Sequence, residues 1–170
     1  MIIRTERPED FNEIYELVKE AFKTAKVSGG DEQNYVNRLR DSGNYIPSLA
    51  FVAEKDGKLI GHIMLTKTQI INNDKVYETL LLSPVSVALE YRNQKVGTKM
   101  IKEGFLKAKE MGYRSAVLVG DIGYYGRFGF KPSSQYGIKN TNGIPDEHVM
   151  ACEIVPGGLD GISGEIFFME

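Results

Sequence analysis

Six polar side chains that can donate hydrogen bonds stand close together in the run RNQKVGTK, from Arg92 to Lys99. An alternating apolar stretch, VSVAL, ends just before them, and helical spacing begins at Lys95. The corner therefore joins a strand to a helix. A helix start carries backbone N–H groups without intrahelical partners, together with the positive end of the helix dipole. Val96, Gly97, Thr98 and Lys99 lie at this helix start, and Arg92, Asn93, Gln94, Lys95 and Thr98 surround it with side-chain donors. Such a corner suits an anion, above all a phosphate. Gly97 is the only glycine of the run, so donors rather than glycines must form the cradle.

A second feature lies just upstream. Pro84 interrupts the strand SPVSV, and proline cannot donate to a sheet ladder, so a bulge is expected there. A bulge would bend this strand from its parallel neighbour and leave backbone groups around Val85, Ser86 and Val87 open. A ligand with amides at one end and phosphates at the other would use both features. Coenzyme A has that pattern: pantetheine amides for the strand and a diphosphate for the helix start.

Other chemistries find less support. The two histidines, His62 and His148, are far apart and Cys152 is alone, which excludes an intramolecular disulfide and argues against structural zinc. Neither a GxSxG elbow nor a GxxxxGK(S/T) phosphate loop occurs. His62 alternates with apolar residues in LIGHIML and reads as an ordinary strand histidine. Asp74, Glu78 and Asp121 are no better placed, so no general base is identified. Cys152 shares a strand face with Met150 and Ile154, as a buried thiol would. A net charge of −2 argues against a nucleic-acid binder that relies on a global positive field. The amino terminus lacks a signal-peptide core and no apolar run is long enough for a membrane span, which makes cytoplasm the expected location.

The elements that position these groups follow from periodicity. A chain of 170 residues without repeats or linkers reads as one domain over 1–170. A strand around Ile2 to Arg4 precedes an amphipathic helix with Phe11, Ile14, Tyr15, Val18, Ala21 and Phe22 on one face. DEQNYVNRLRDSG predicts a second helix with an acidic cap and a stop at Gly43. Asp56-Gly57 between apolar runs marks a hairpin, and NND turns the chain into KVYETLLLSPVSVAL. Gly97, Ile101, Gly104, Phe105 and Ala108 form the buried face of the helix after the donor loop, which Gly112 ends. YRSAVLVG reads as a buried strand, parallel to the bulged one by right-handed crossover. A short helix over IGYYGRF follows, with Asp121 as its cap. A strand from Gly129, a loop rich in Gly, Ser and Asn, and a strand around Met150 complete the reading.

On these residues the chain resembles the GNAT superfamily of N-acetyltransferases. Arg92 to Gly97 is similar to the family's Gln/Arg-x-x-Gly-x-Gly/Ala segment, with Lys95 in place of the first glycine. YYGRFGF resembles its Tyr-x-x-x-Gly-Phe segment, which by register puts Tyr125 opposite the coenzyme sulfur, followed by Gly129 and Phe130; Tyr124 is expected as a core aromatic. The resemblance implies an α/β GNAT-like fold: a mixed, mostly antiparallel central sheet with a parallel splayed strand pair and flanking helices. It implies transfer of an acetyl group from acetyl-CoA to an amine by direct attack, without a metal. Backbone N–H groups near Val85 to Val87 would steady the oxyanion, Lys99 would reach toward the 3′-phosphate, and Tyr125 would be the general acid. A non-catalytic acyl-CoA-binding module is the rival reading, favoured by Lys95 at a glycine position. A plain interaction protein would leave the donor corner unexplained. The acceptor, a small molecule or peptide amine, is not named by the sequence; Val27 to Tyr45 and Ser133 to Glu147 are the segments expected to bind it. No nucleic acid or membrane partner is implied, and a homodimer is compatible with the reading.

Overall fold

The computed structural model describes residues 1–169. In chain order, its strands are β1 (Ile2–Thr5), β2 (Ala50–Lys55), β3 (Lys58–Asn72), β4 (Lys75–Val87), β5 (Ser115–Val119), β6 (Lys131–Pro132), β7 (Ile138–Asn140), β8 (Val149–Glu153) and β9 (Gly164–Ile166). The helices are α1 (Phe11–Phe22), α2 (Glu32–Asp41), α3 (Val96–Glu110) and α4 (Ile122–Tyr125).

Two tight turns build the centre of the sheet. Asp56 and Gly57 take φ of 51° and 76°, the left-handed pair that a two-residue hairpin turn requires, and Lys55 faces Lys58 across it. Asn73, with φ of 55°, turns β3 into β4 so that Asn72 faces Lys75. The main strand order is β1-β2-β3-β4-β5-β8-β6, with β9 against the far end of β3 and β7 beside β9. Pairing is antiparallel except at β4–β5 and at β7–β9.

Strand alternation divides the core into two layers. On one face, Ile14 and Val18 of α1 and Val36 and Leu39 of α2 pack on Val52, Met64, Leu81 and Val117. On the other, Val96, Met100, Ile101 and Ala108 of α3 pack on Ile63, Leu65, Leu80 and Leu118. Full burial of one such side chain contributes about 1.5–3 kcal/mol, which locks the strand register against a one-residue slip.

One region departs from this regularity. Ile63 faces Val85 and Leu65 faces Leu82, so Met64 stands opposite two residues, Ser83 and Pro84. This is the expected bulge. Its effect appears on the other edge of β4, where pairing with β5 is limited to Leu80 with Ala116 and Leu81 with Val117. Beyond those pairs the two strands separate.

Several boundaries differ from the sequence reading. Pro8, whose fixed φ suits the first turn of the amphipathic helix, instead opens a separate turn of 3₁₀ helix, Pro8–Asp10, before α1. The segment expected as a loop between Gly129 and Met150 contains β7. Asp121 does not cap α4 with its carboxylate; its carbonyl accepts from Tyr124 and Tyr125 N–H, while the carboxylate lies 4.0 Å from Lys26.

Candidate active site

The separation of β4 and β5 opens a cleft of about 1170 Å³, larger than the roughly 300–1,000 Å³ of a usual small-ligand pocket. One half lies against the start of α3 and against α4. The other half is walled by the end of α1, the segment that follows it, and α2.

Val85 and Val87 line the cleft and Ser86 does not. Ala88 N–H donates to the Ile60 carbonyl at 2.9 Å, and hydrogen-bonded positions alternate along an antiparallel ladder. The N–H of Ser86 therefore faces β3, opposite His62, while those of Val85 and Val87 face the opening. This corrects the expectation for Ser86. Its side chain is buried behind the sheet, and its hydroxyl has no partner.

At the helix entrance Asn93 and Lys95 take φ of 61° and 64°. A left-handed residue with a side chain costs about 1 kcal/mol or more, which explains why a glycine would suit position 95. Lys95 adopts the glycine-like conformation and so preserves the turn. Lys99 N–H is already bonded to the Lys95 carbonyl at 3.0 Å, which leaves the N–H groups of Val96, Gly97 and Thr98 at the open end. Asn93, Lys95, Val96, Gly97 and Thr98 all line the cleft. Gln94 and Lys99 do not: the Gln94 amide donates to the Glu90 carbonyl at 3.1 Å, and the Lys99 side chain lies outside the wall. Arg92 lines the cleft as expected, but its side chain is engaged elsewhere. Its guanidinium donates to Thr24 Oγ1 and to the Ala21 carbonyl, both at 2.7 Å.

Tyr124 is more than the core aromatic expected. A Cβ on Gly97 would collide with its hydroxyl, so this phenol rests directly on the entrance of α3. Tyr125 meets its ring edge-on at 4.9 Å, Phe128 does so at 5.4 Å, and the Arg127 guanidinium lies 4.7 Å over it. Sequence spacing carried no signal for this, because the contact joins α4 to the start of α3 across the cleft.

Tyr125 packs on Gly120 and stands edge-on to Phe130 at 6.0 Å. Burial pushes its phenol well above the ordinary range, and Tyr124 and Asp121 add to the shift. The group stays protonated at neutral pH and can give a proton to an anion in the cleft.

The far half is walled by Ala25–Gly29 and by Asp31, Glu32, Tyr35 and Arg38, within the first segment expected to bind an acceptor or just before it. Its charges are largely paired. Arg38 meets Asp31 at 3.1 Å, and one Glu32 oxygen accepts from Ser28 Oγ and Gly29 N–H. No residue of Ser133 to Glu147 reaches the wall; Gly120, Asp121, Gly123, Tyr124, Tyr125, Arg127 and Met169 contribute instead.

His62 is fully buried outside the cleft. Its Nε2 lies 2.8 Å from Glu6, whose carboxylate also accepts from Arg40 at 2.7 Å and from the Tyr45 hydroxyl at 3.2 Å. Burial pushes the Glu6 carboxyl up, but hydrogen bonds from His62 and Arg40 outweigh it and hold the group below its ordinary value. Burial holds the His62 imidazole below its ordinary value, against the opposing pull of Glu6. Cys152 is buried, and burial raises its thiol to about 12. Among the described residues no group of His, Cys, Asp and Glu is arranged to hold a metal, and no helix is long and apolar enough to cross a membrane.

Residues 2–133 match the family model for an acetyltransferase (GNAT) domain. A curated relative, "Uncharacterized N-acetyltransferase YjhQ" of Escherichia coli (strain K12), is 30% identical over 144 residues, covering 84% of this chain and 76% of that protein. A GNAT family acetyltransferase from Brucella melitensis, solved in complex with acetyl-CoA, shares 30% identity with a TM-score of 0.78, over 99% of this chain and 95% of that one. YhbS from Escherichia coli, solved in complex with CoA, has the same fold with a TM-score of 0.87 at 24% identity, over 99% and 89% of the two chains.

Proposed function

Since this chain belongs to the GNAT family of N-acetyltransferases, we propose that it moves an acetyl group from acetyl-CoA to an amine by direct attack, with Tyr125 as general acid. The observation that carries the reading is the meeting of three features in one cleft. An open strand edge at Val85 and Val87, a helix start with free N–H groups, and a half-buried, protonated phenol all border it.

In this reading the diphosphate of the coenzyme lies on the N–H groups of Val96, Gly97 and Thr98, with the charge of Lys95 beside it. The pantetheine amides pair with the outward N–H and C=O groups of Val85 and Val87. The neutral amine attacks the thioester carbonyl, and the developing oxyanion is met by a strand N–H. The C–S bond then breaks, and Tyr125 gives its proton to the departing thiolate. Before that collapse the nitrogen of the tetrahedral adduct loses its proton to water, and water afterwards returns a proton to the Tyr125 phenolate. The non-catalytic reading rested on Lys95 in place of glycine; the left-handed conformation of Lys95, which keeps the glycine-like turn, supports the catalytic one.

Two measurements test the proposal. Acetyl-CoA at a hundredfold excess over its dissociation constant adds about 2.7 kcal/mol of stability, so the melting temperature should rise by roughly 5–11 °C. Tyr125→Phe keeps the ring and removes the proton. With amine-dependent thiol release as the assay, kcat should fall by about 10²-fold, the low end for general acid catalysis, with CoA affinity nearly unchanged. Full turnover in the variant, with chemistry limiting the rate, would remove Tyr125 from the mechanism.

A further inference from the structure

Arg92 begins the loop that leads to α3, yet its side chain is bonded to the end of α1. Nη2 donates to the Ala21 carbonyl and Nη1 to Thr24 Oγ1, each at 2.7 Å. α1 ends at Phe22, and the last carbonyls of a helix lack intrahelical partners. The Ala25 N–H turns to Phe22 instead, at 3.3 Å, and leaves the Ala21 carbonyl to the guanidinium. A cation at this end also complements the helix dipole.

The irregular segment that begins here is the wall of the acceptor half. Lys23 to Gly30 contributes Ala25, Lys26, Val27, Ser28 and Gly29 to the cleft. Its other polar ties are local or long. Ser28 and Gly29 bond to Glu32, and Lys26 stands 4.0 Å from Asp121. Arg92 ties the start of this segment to the loop that carries Asn93 and Lys95, both held left-handed.

We propose that Arg92 is a positioning residue for the acceptor wall: its guanidinium is a strut that joins the coenzyme loop to the end of α1, and it is not a ligand of the coenzyme phosphates. The inference rests on the assignment of the two cleft halves to coenzyme and acceptor. Acceptor selectivity is then set partly from the coenzyme side, because the wall takes its position from the loop. Substitutions at Arg92 or Thr24 reshape the acceptor half while the phosphate cradle, built from backbone N–H groups and Lys95, is kept.

Hydrogen exchange with mass spectrometry tests this on the whole protein, with and without CoA, for wild type, Arg92→Gln and Thr24→Val. The reporters are the bonded amides of Lys23, Ala25, Gly29 and Gly30. Loss of two charge-assisted hydrogen bonds should speed their exchange about tenfold or more in Arg92→Gln. Thr24→Val, which removes one bond from the other end, should give a smaller acceleration in the same residues. Amides of β2 and β3 should be unchanged, which separates a local strut from a general loss of stability. Calorimetric CoA affinity should stay within about threefold of wild type, with the same salt dependence, since no phosphate contact is lost. A tenfold weaker CoA affinity with reduced salt dependence would make Arg92 a phosphate ligand and overturn the proposal. Unchanged exchange in Lys23 to Gly30 would overturn it as well. Failure of wild type itself to bind CoA would sink the coenzyme reading, and the exchange in the free protein would still decide the strut.

Discussion

Lowering the pH from 7 to 5 should destabilise the wild-type fold more than a His62→Gln variant. His62 is fully buried, and burial pulls its imidazole below the ordinary 6.5, with Glu6 opposing and Arg40 assisting. In the unfolded chain the ring takes up a proton as pH falls through about 6.5. In the folded chain it stays neutral further down. The unfolded state therefore binds more protons in this window, so the contribution is complete above about pH 6.5 and lost as pH falls toward the folded value. One proton of difference is worth about 1.4 kcal/mol per pH unit. At pH 5 the loss is at most about 2 kcal/mol, reached if the buried ring stays neutral throughout; this corresponds to roughly 4–8 °C in Tm. Glutamine keeps an N–H for Glu6 and cannot titrate. The Glu6 carboxyl, held below its ordinary 4.5, acts in a lower window: its contribution is present above about pH 4.5 and lost below it. Urea unfolding of both proteins at pH 7, 6 and 5 reads the difference, and every group they share cancels. Identical pH dependence would refute the assignment of a neutral buried imidazole.

Lys95→Gly should change stability by less than about 1 kcal/mol, because relief of the left-handed side chain is offset by a freer unfolded chain; CoA affinity should nonetheless fall, as isothermal titration would show. Lys95→Glu should weaken CoA binding more than Lys109→Glu, which alters the far end of the same helix; equal effects would mean that the phosphate site is misplaced. Gly97→Ala should weaken CoA binding by driving the Tyr124 phenol off the α3 entrance, while the roughly 1 kcal/mol gain in helix propensity keeps the melting temperature near wild type. The Tyr124→Phe change, which removes the colliding oxygen, should restore binding in the double variant.

The long-period features were legible in the sequence. α1 and α3 carry apolar residues at helical spacing, and the Asp56-Gly57 hairpin and the Pro84 bulge each rest on one residue type with one conformational consequence. The donor loop was legible as a place but not in detail. Arg92, Gln94 and Lys99 look alike as donors, yet the partners of Arg92 lie 68 and 71 residues away and that of Gln94 only 4. Ser86 misled because neighbouring strand residues face opposite ways, and which N–H faces the opening depends on the ladder with β3. The ties of Glu6 to His62 and Arg40 span 56 and 34 residues, beyond any local pattern. β7 and β9 were missed because three residues are too few to show a period.

The two residue pairs that join β4 to β5 have a mechanical meaning. On their outer sides these strands are laddered over most of their length: β4 against β3 from Lys75 to Val87 apart from the bulge at Ser83 and Pro84, and β5 against β8 from Ser115 to Val119. The sheet is thus two stiff panels joined by a narrow strip at Leu80–Leu81 and Ala116–Val117. Bending inside a panel breaks a whole ladder, whereas a change of angle between panels disturbs only a few hydrogen bonds. The width of the cleft mouth is therefore the softest dimension of the sheet, and the stiff directions are those that hold its walls straight.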